Sequence, residues 1–465
     1  MKNAFLTVPA AVLALSLWCA SGQAPSKTPA PDDLVGKARS FLERLDKGDF
    51  AGAAAGFDET MTEVSGPDKL AAFWKEVPGR MGAFRRQTAA RRERLDPYDI
   101  VLVTCEFEKV TLDARVIFDA QGRIAGFQFV PSLPTAEYKP PAYADPASFK
   151  EIDVTVGSPG WPLPATLTVP EGGGPFPALV LVHGSGPNDR DETIGPNKPF
   201  KDIAWGLAAR GVAVLRYEKR TRVFGPKLVA EPEWAASFTV KEETIDDALA
   251  AVSFLKDTNR VDPERIFVLG HSLGGMLVPR ISVAGKGLGI AGFLIMAGLT
   301  RPLEDTILRQ MTYLYGLDGS LTPDDRAQLD ELKSLVARIK SFTDRDAAAG
   351  ERVLNAPAGY WLDMRSYDPP ALAATLDIPM LILQGARDYQ VTTDDFENWK
   401  KALAGKPGVE YKLYPKLNHL FIEGRGFSTP DEYTRIHGSV APDVIDDIAA
   451  FLKKTVRSKG SGPSS

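Results

Sequence analysis

Residues 266–284 read Ile-Phe-Val-Leu-Gly-His-Ser-Leu-Gly-Gly-Met-Leu-Val-Pro-Arg-Ile-Ser-Val-Ala. Four apolar β-formers, Ile266 to Leu269, run into Gly270-His271-Ser272-Leu273-Gly274, and a helical pattern follows from Gly275 to Ala284. The pattern G-x-S-x-G is weak alone and strong when it lies between a strand and a helix. Glycines relieve crowding at a sharp turn, so the serine oxygen projects above the edge of a sheet. The helix N-terminus brings backbone N–H groups to where negative charge develops. The stretch predicts Ser272 as a nucleophile.

A serine hydroxyl needs a base to take its proton, and the chain has only four histidines. His271 lies inside the turn and is expected to point away from Ser272. His183 ends an earlier strand, in His183-Gly184-Ser185-Gly186. His419 lies just past a strand at Val409 to Tyr414, in the loop where such a base belongs, and is the expected base; His437 is the reserve. The imidazole needs a carboxylate to hold its tautomer and its charge. Asp388 follows the strand Met380 to Leu383 and precedes His419, which completes the order Ser, Asp, His. Asp394 and Asp395 are its rivals but fit the first turn of the next helix. The glycine-rich turn after strand Ala178 to Val182 predicts Ser185 N–H, with Leu273 N–H, as the oxyanion donors.

Around these residues strands and helices alternate from about 149 to 456. Ile152 to Val156 and Ala165 to Val169 read as an opening antiparallel pair. Later strands are continuous apolar runs, as in strands buried on both faces. The expectation is an α/β unit: a mostly parallel sheet with helices on both faces. Residues 301 to about 368 break the rhythm and read as an all-helical cap over the sheet's active edge. Its Thr322-Pro323-Asp324-Asp325 is a helix start. Tyr360 and Trp361 fit either an acyl pocket or the packing of the cap.

The preceding part, 32–131, reads as a small α+β domain. Leu34, Ala38, Phe41, Leu42 and Leu45 recur at helix spacing. A second helical stretch is expected from Asp68 to about Arg94, then a meander through 100–107, 111–118 and 124–130. No histidine precedes His183, so this part lacks the usual proton-transfer residue. The basic run Arg85-Arg86 and Arg91-Arg92-Glu93-Arg94 reads as a solvated face. Prolines cluster in 132–148, a linker by composition. Residues 1–22 read as a secretory signal, with Lys2, an apolar stretch from Ala4 to Leu17 and small residues after it. Export to the periplasm or medium is therefore expected. Residues 457–465 read as a disordered tail.

Composition narrows the function further. A 44% hydrophobic, 25% charged chain is globular, and a net charge of -5 gives no reason to expect nucleic acid. No apolar run is suited to a membrane span. Of the two cysteines, Cys19 falls in the leader and Cys105 in an apolar strand, where a buried inert thiol is expected. No zinc-ligand spacing, P-loop or dinucleotide fingerprint occurs. Neither metal nor cofactor is expected, and nothing specifies an oligomeric state.

The runs His183 to Glu192, Pro196-Asn197-Lys198-Pro199-Phe200 and Leu215-Arg216-Tyr217-Glu218-Lys219-Arg220 resemble those of EstD-type bacterial carboxylesterases, as does the elbow Gly270 to Gly274. The likeness covers residues 150 to 456. It implies an α/β-hydrolase fold and cofactor-free hydrolysis of short acyl esters by Ser272, Asp388 and His419. The small domain resembles nuclear-transport-factor-like domains that precede some bacterial hydrolases. A serine peptidase acting on short peptides is the rival within enzymes, because the same triad cleaves amides. A secreted binding protein on a hydrolase fold is the rival outside them.

Overall fold

The stripe Leu34, Ala38, Phe41, Leu42 and Leu45 is buried along the helix Pro31–Asp46. The computed structural model describes residues 31–95, 98–132, 138–225, 238–354 and 356–459, which divide into two units with separate cores. In the first unit the helices Pro31–Asp46, Phe50–Ala54, Glu59–Ser65 and Pro67–Met81 precede an antiparallel meander of β1 (Phe84–Leu95), β2 (Tyr98–Phe107), β3 (Thr111–Phe118) and β4 (Ile124–Pro131).

β1 corrects the expectation of helix to Arg94. Its Arg, Gln, Ala and Glu residues favour helix locally, but pairing with the apolar β2 overrides that weak preference. Gly82 ends the preceding helix at φ 77°, where a Cβ would lie 2.6 Å from that of Glu108. The basic run is not merely solvated either. Arg91 pairs with the buried Asp113 at 2.7 Å, and Arg92 with Asp99 at 2.7 Å. Cys105 is a free, buried thiol, as expected.

The second unit is built on eight strands: β5 (Phe149–Val156), β6 (Leu163–Pro170), β7 (Phe176–Val182), β8 (Ala213–Tyr217), β9 (Val261–His271), β10 (Gly292–Met296), β13 (Met380–Gly385) and β14 (Val409–Tyr414). Their order is β14-β13-β10-β9-β7-β8-β6-β5. β5 and β6 form the antiparallel pair, and the six from β8 to β14 run parallel. Every residue of β8, β10 and β13 is buried, the signature of a sheet covered on both faces. Helices Pro199–Ala208 and Pro442–Lys459 pack together, and so do Asp246–Lys256 and Leu273–Ala284.

The insertion between β10 and β13 carries helices Leu303–Tyr315, Pro323–Ser341, Asp344–Ala348 and Ala358–Arg365. It is not all helical: β11 (Arg352–Val353) and β12 (Ala356–Pro357) form a two-stranded ribbon, too short to show a period in the sequence. The Thr322 start is a capping box with Asp325. The proline-rich stretch is no free linker from Tyr138 onward. Tyr138 donates to Asp202 at 2.7 Å and Tyr143 to the Val440 carbonyl at 2.7 Å. The last helix runs to Lys459, so residues 457–459 of the expected disordered tail are helical. The leader 1–22 and residues 460–465 lie outside the described residues. No described helix is long and apolar enough to cross a membrane.

Candidate active site

Parallel strands bring their carboxyl ends to one edge of a sheet, so the loops after β7, β9, β13 and β14 become neighbours. At the end of β9 the chain reverses at Ser272, whose φ of 55° and ψ of -116° fall where side chains are rarely found. The flanking glycines are sterically required. A Cβ on Gly270 would stand 2.2 Å from the Gly274 carbonyl oxygen, and one on Gly274 would stand 2.4 Å from that of Val182. The helix Leu273–Ala284 starts at once, and its first amide, Leu273 N–H, finds no acceptor among the described residues.

The base and its carboxylate come from the next two loops. His419 Nδ1 lies 2.6 Å from Asp388 Oδ2, and both side chains are buried. The other Asp388 oxygen accepts the Gln390 and Val391 N–H groups at 2.8 and 2.9 Å. These bonds hold the carboxylate in place. Gly385 lets the loops cross: a Cβ there would sit 2.5 Å from the Leu417 carbonyl oxygen. The buried Asn418 ties the histidine loop by accepting from the Leu420 and Ile422 amides. His437 is exposed. Asp394 and Asp395 stand in the first turn of helix Thr393–Ala402, where they meet Arg309, Arg301 and Thr300.

His419 reaches the elbow through its backbone. Its carbonyl oxygen is 3.0 Å from His271 Nε2, and the two rings lie 4.6 Å apart, centroid to centroid. No hydrogen bond among the described residues joins the Ser272 hydroxyl to His419; such contacts are often loose without substrate. His271 has a partner the sequence reading missed. Its Nδ1 is 2.8 Å from Glu192 Oε2. That contact lies off the N–H direction, so charge holds it more than hydrogen bonding does. A carbonyl only accepts, so Nε2 carries a proton. Burial pushes the His271 pKa down, but the Glu192 carboxylate outweighs it and the net shift is upward. Glu192 shifts below its usual range, its burial outweighed by His271. His183 behaves oppositely: burial brings its pKa to about 4, and it contacts the Asp189 carbonyl and the rings of Phe200 and Tyr217.

The loop after β7 adjoins the serine closely. A Cβ on Gly184 would be 3.1 Å from that of Ser272. Gly184 N–H donates to Glu192 Oε1 at 2.7 Å and is thereby occupied. Ser185 N–H finds no acceptor among the described residues. Tyr360 and Trp361 are buried. The Tyr360 hydroxyl donates to Glu243 at 2.8 Å and Trp361 Nε1 to the Val353 carbonyl at 3.0 Å.

Residues 179–436, which carry this constellation, match the model of the alpha/beta hydrolase family. The chain belongs to that family. Across 414 residues this hydrolase is 40% identical to the esterase EstD of Thermotoga maritima, covering 89% of this chain and 94% of that one. An uncharacterized protein, YfhR of Salmonella typhimurium, is 25% identical over 269 residues, 57% of this chain and 72% of its own. A Pyrococcus furiosus esterase structure aligns at 16% identity and a TM-score of 0.43, over 71% of this chain and 99% of its own. Ahead of the hydrolase unit, residues 38–127 match a family described as protein of unknown function, DUF3887. Among the described residues no cluster of His, Cys, Asp and Glu is arranged to hold a metal.

Glu192 and Lys219 lie within the runs that resemble the EstD-type esterases, but the sequence does not show their partners. Lys219 Nζ donates to the Gly184 carbonyl at 2.7 Å. A buried cation 35 residues from its acceptor has no local periodicity to announce it.

Proposed function

We propose that this carboxylic ester hydrolase works as a serine esterase on short acyl esters, with Ser272 as nucleophile, His419 as general base and Asp388 as the carboxylate that orients it. Ser272 Oγ bonds to the ester carbonyl carbon while His419 takes its proton, and the carbonyl π electrons move onto oxygen. Ser185 N–H and Leu273 N–H receive that charge. Collapse expels the alcohol, protonated by His419, and leaves an acyl-serine. Water repeats the sequence and frees the acid.

The observation that carries the reading is the buried 2.6 Å contact between His419 and Asp388, beside a strained serine elbow. It is tested with p-nitrophenyl esters of graded acyl length, an aminoacyl anilide and a fluorophosphonate probe. Short esters are expected to turn over fastest, and Ser272→Ala should lose both turnover and labelling. Faster turnover of the anilide would establish a peptidase instead, and an unlabelled wild type a binding protein. We also propose export, on the strength of the leader at 1–22. N-terminal sequencing of the protein recovered from the periplasm or medium checks it, and an intact Met1 on cytosolic protein would refute it.

A further inference from the structure

The peptide linking Gly184 to Ser185 is held from its carbonyl side by a buried cation. Lys219 Nζ donates to the Gly184 oxygen at 2.7 Å, and Asn188 Nδ2 adds a second bond at 3.2 Å. Lys219 is paired with Glu243 at 2.7 Å, and Glu243 accepts from the Tyr360 hydroxyl at 2.8 Å. All three side chains are buried. Tyr360 lies on helix Ala358–Arg365 of the insertion, so a polar chain runs from the insertion to this peptide.

A buried ion pair is a poor device for stability alone, since desolvation cancels most of its attraction and apolar residues of like volume often do as well. Its geometry supplies another use. In a trans peptide the carbonyl and the following N–H point in opposite directions. Fixing the Gly184 oxygen therefore fixes where Ser185 N–H points. Gly184 N–H, at the other end of the residue, is held by Glu192 at 2.7 Å. A cation on the carbonyl also polarises the peptide and makes its N–H a stronger donor.

We propose that Lys219 is a positioning residue for the oxyanion site. It aims Ser185 N–H at the oxygen of the attacked carbonyl, with Glu243 and Tyr360 holding it in place. This rests on the reading of Ser272 as nucleophile and Ser185 as oxyanion donor. The oxyanion exists only in the tetrahedral state, so a misaimed donor costs kcat and leaves substrate binding alone.

Lys219→Met with Glu243→Gln removes both charges together and avoids stranding either one. Expected for this double variant are a cooperative melt, a KM within about threefold of wild type and a kcat about 10- to 100-fold lower. Inhibition by a short alkylboronic acid, whose serine adduct is tetrahedral, should weaken in step with kcat/KM. A folded double variant with kcat within twofold of wild type overturns the proposal. So does one whose KM rises as much as its kcat falls while boronate inhibition holds. If the double variant does not fold, Tyr360→Phe decides: it keeps the ion pair and should lower kcat severalfold at constant KM, and an unchanged kcat overturns the relay. Ser272→Ala is run alongside. Residual wild-type hydrolysis there would sink the serine reading itself, a result distinct from an inert Lys219.

Discussion

At the scale of single residues, the buried carboxylate Asp388 does two jobs with two oxygens. One faces His419 and the other is held by backbone amides. Asp388→Asn keeps the volume but offers an amide where His419 needs an anion. Turnover of a p-nitrophenyl ester is expected to fall about 10⁴-fold, as when a triad histidine is left in the wrong tautomer. Cys105 gives a simpler test. Burial pushes its thiol up to about 12, so at pH 8 it stays protonated and out of reach. In protein without the leader, and so without Cys19, a disulfide reagent should leave the native Cys105 unmodified and react once denaturant exposes it. Reaction at the same rate before and after unfolding would show that the strand leaves the thiol accessible.

At the scale of elements, the elbow is a strand and a helix joined too tightly for side chains at Gly270 and Gly274. Gly274→Ala would press a methyl group onto backbone oxygens of Val182 and His183, 2.4 and 2.7 Å away. Backbone yields less readily than side chains, so the strand ends must separate. The expected cost is more than about 2 kcal/mol in urea unfolding, together with loss of esterase turnover. Unaltered stability would mean that β7 and β9 can part without penalty. Pairing at the element scale is also where the sequence reading erred. β1 has a helix former's composition and became a strand because β2 offered it a ladder. Two-residue strands such as β11 and β12 carry no period to read.

Across the whole molecule, buried ionisable groups couple stability to pH. Burial raises Asp202 to about 7, its bonds from Tyr138 and the Val440 amide only partly opposing this. Its folded pKa stands above the unfolded value of 3.8. Between those values the folded state binds the extra proton, so this group's contribution to stability declines as pH rises from about 4 to 7. His183 slopes the other way. Its pKa is depressed to about 4, so its contribution declines as pH falls from its ordinary value of 6.5. Asp202→Asn imitates the protonated acid, with an NH₂ for Tyr138 and an oxygen for the Val440 amide. Relative to wild type, the variant should gain stability steadily from pH 4 to 7 and level off above. Denaturant titrations of both proteins across that range check it, and the difference cancels the His183 slope. A constant difference at every pH would mean that Asp202 is ionised throughout.

Local chemistry made much of this protein readable from its residues. The elbow at 270–274 announces itself because a sharp turn needs glycines at set spacing. Apolar runs mark the strands, and position just past a strand together with chain order pointed to Asp388 and His419, which the fold brings to 2.6 Å. Tertiary structure decided what no local pattern carries. It brought Glu192 to His271 and Lys219 to the Gly184 carbonyl, turned β1 into a strand, and bound the segment from Tyr138 to the hydrolase core. The reason is physical. Periodicity and turn chemistry act between neighbours in the chain, whereas a buried charge is satisfied by whichever group the folded sheet brings within reach.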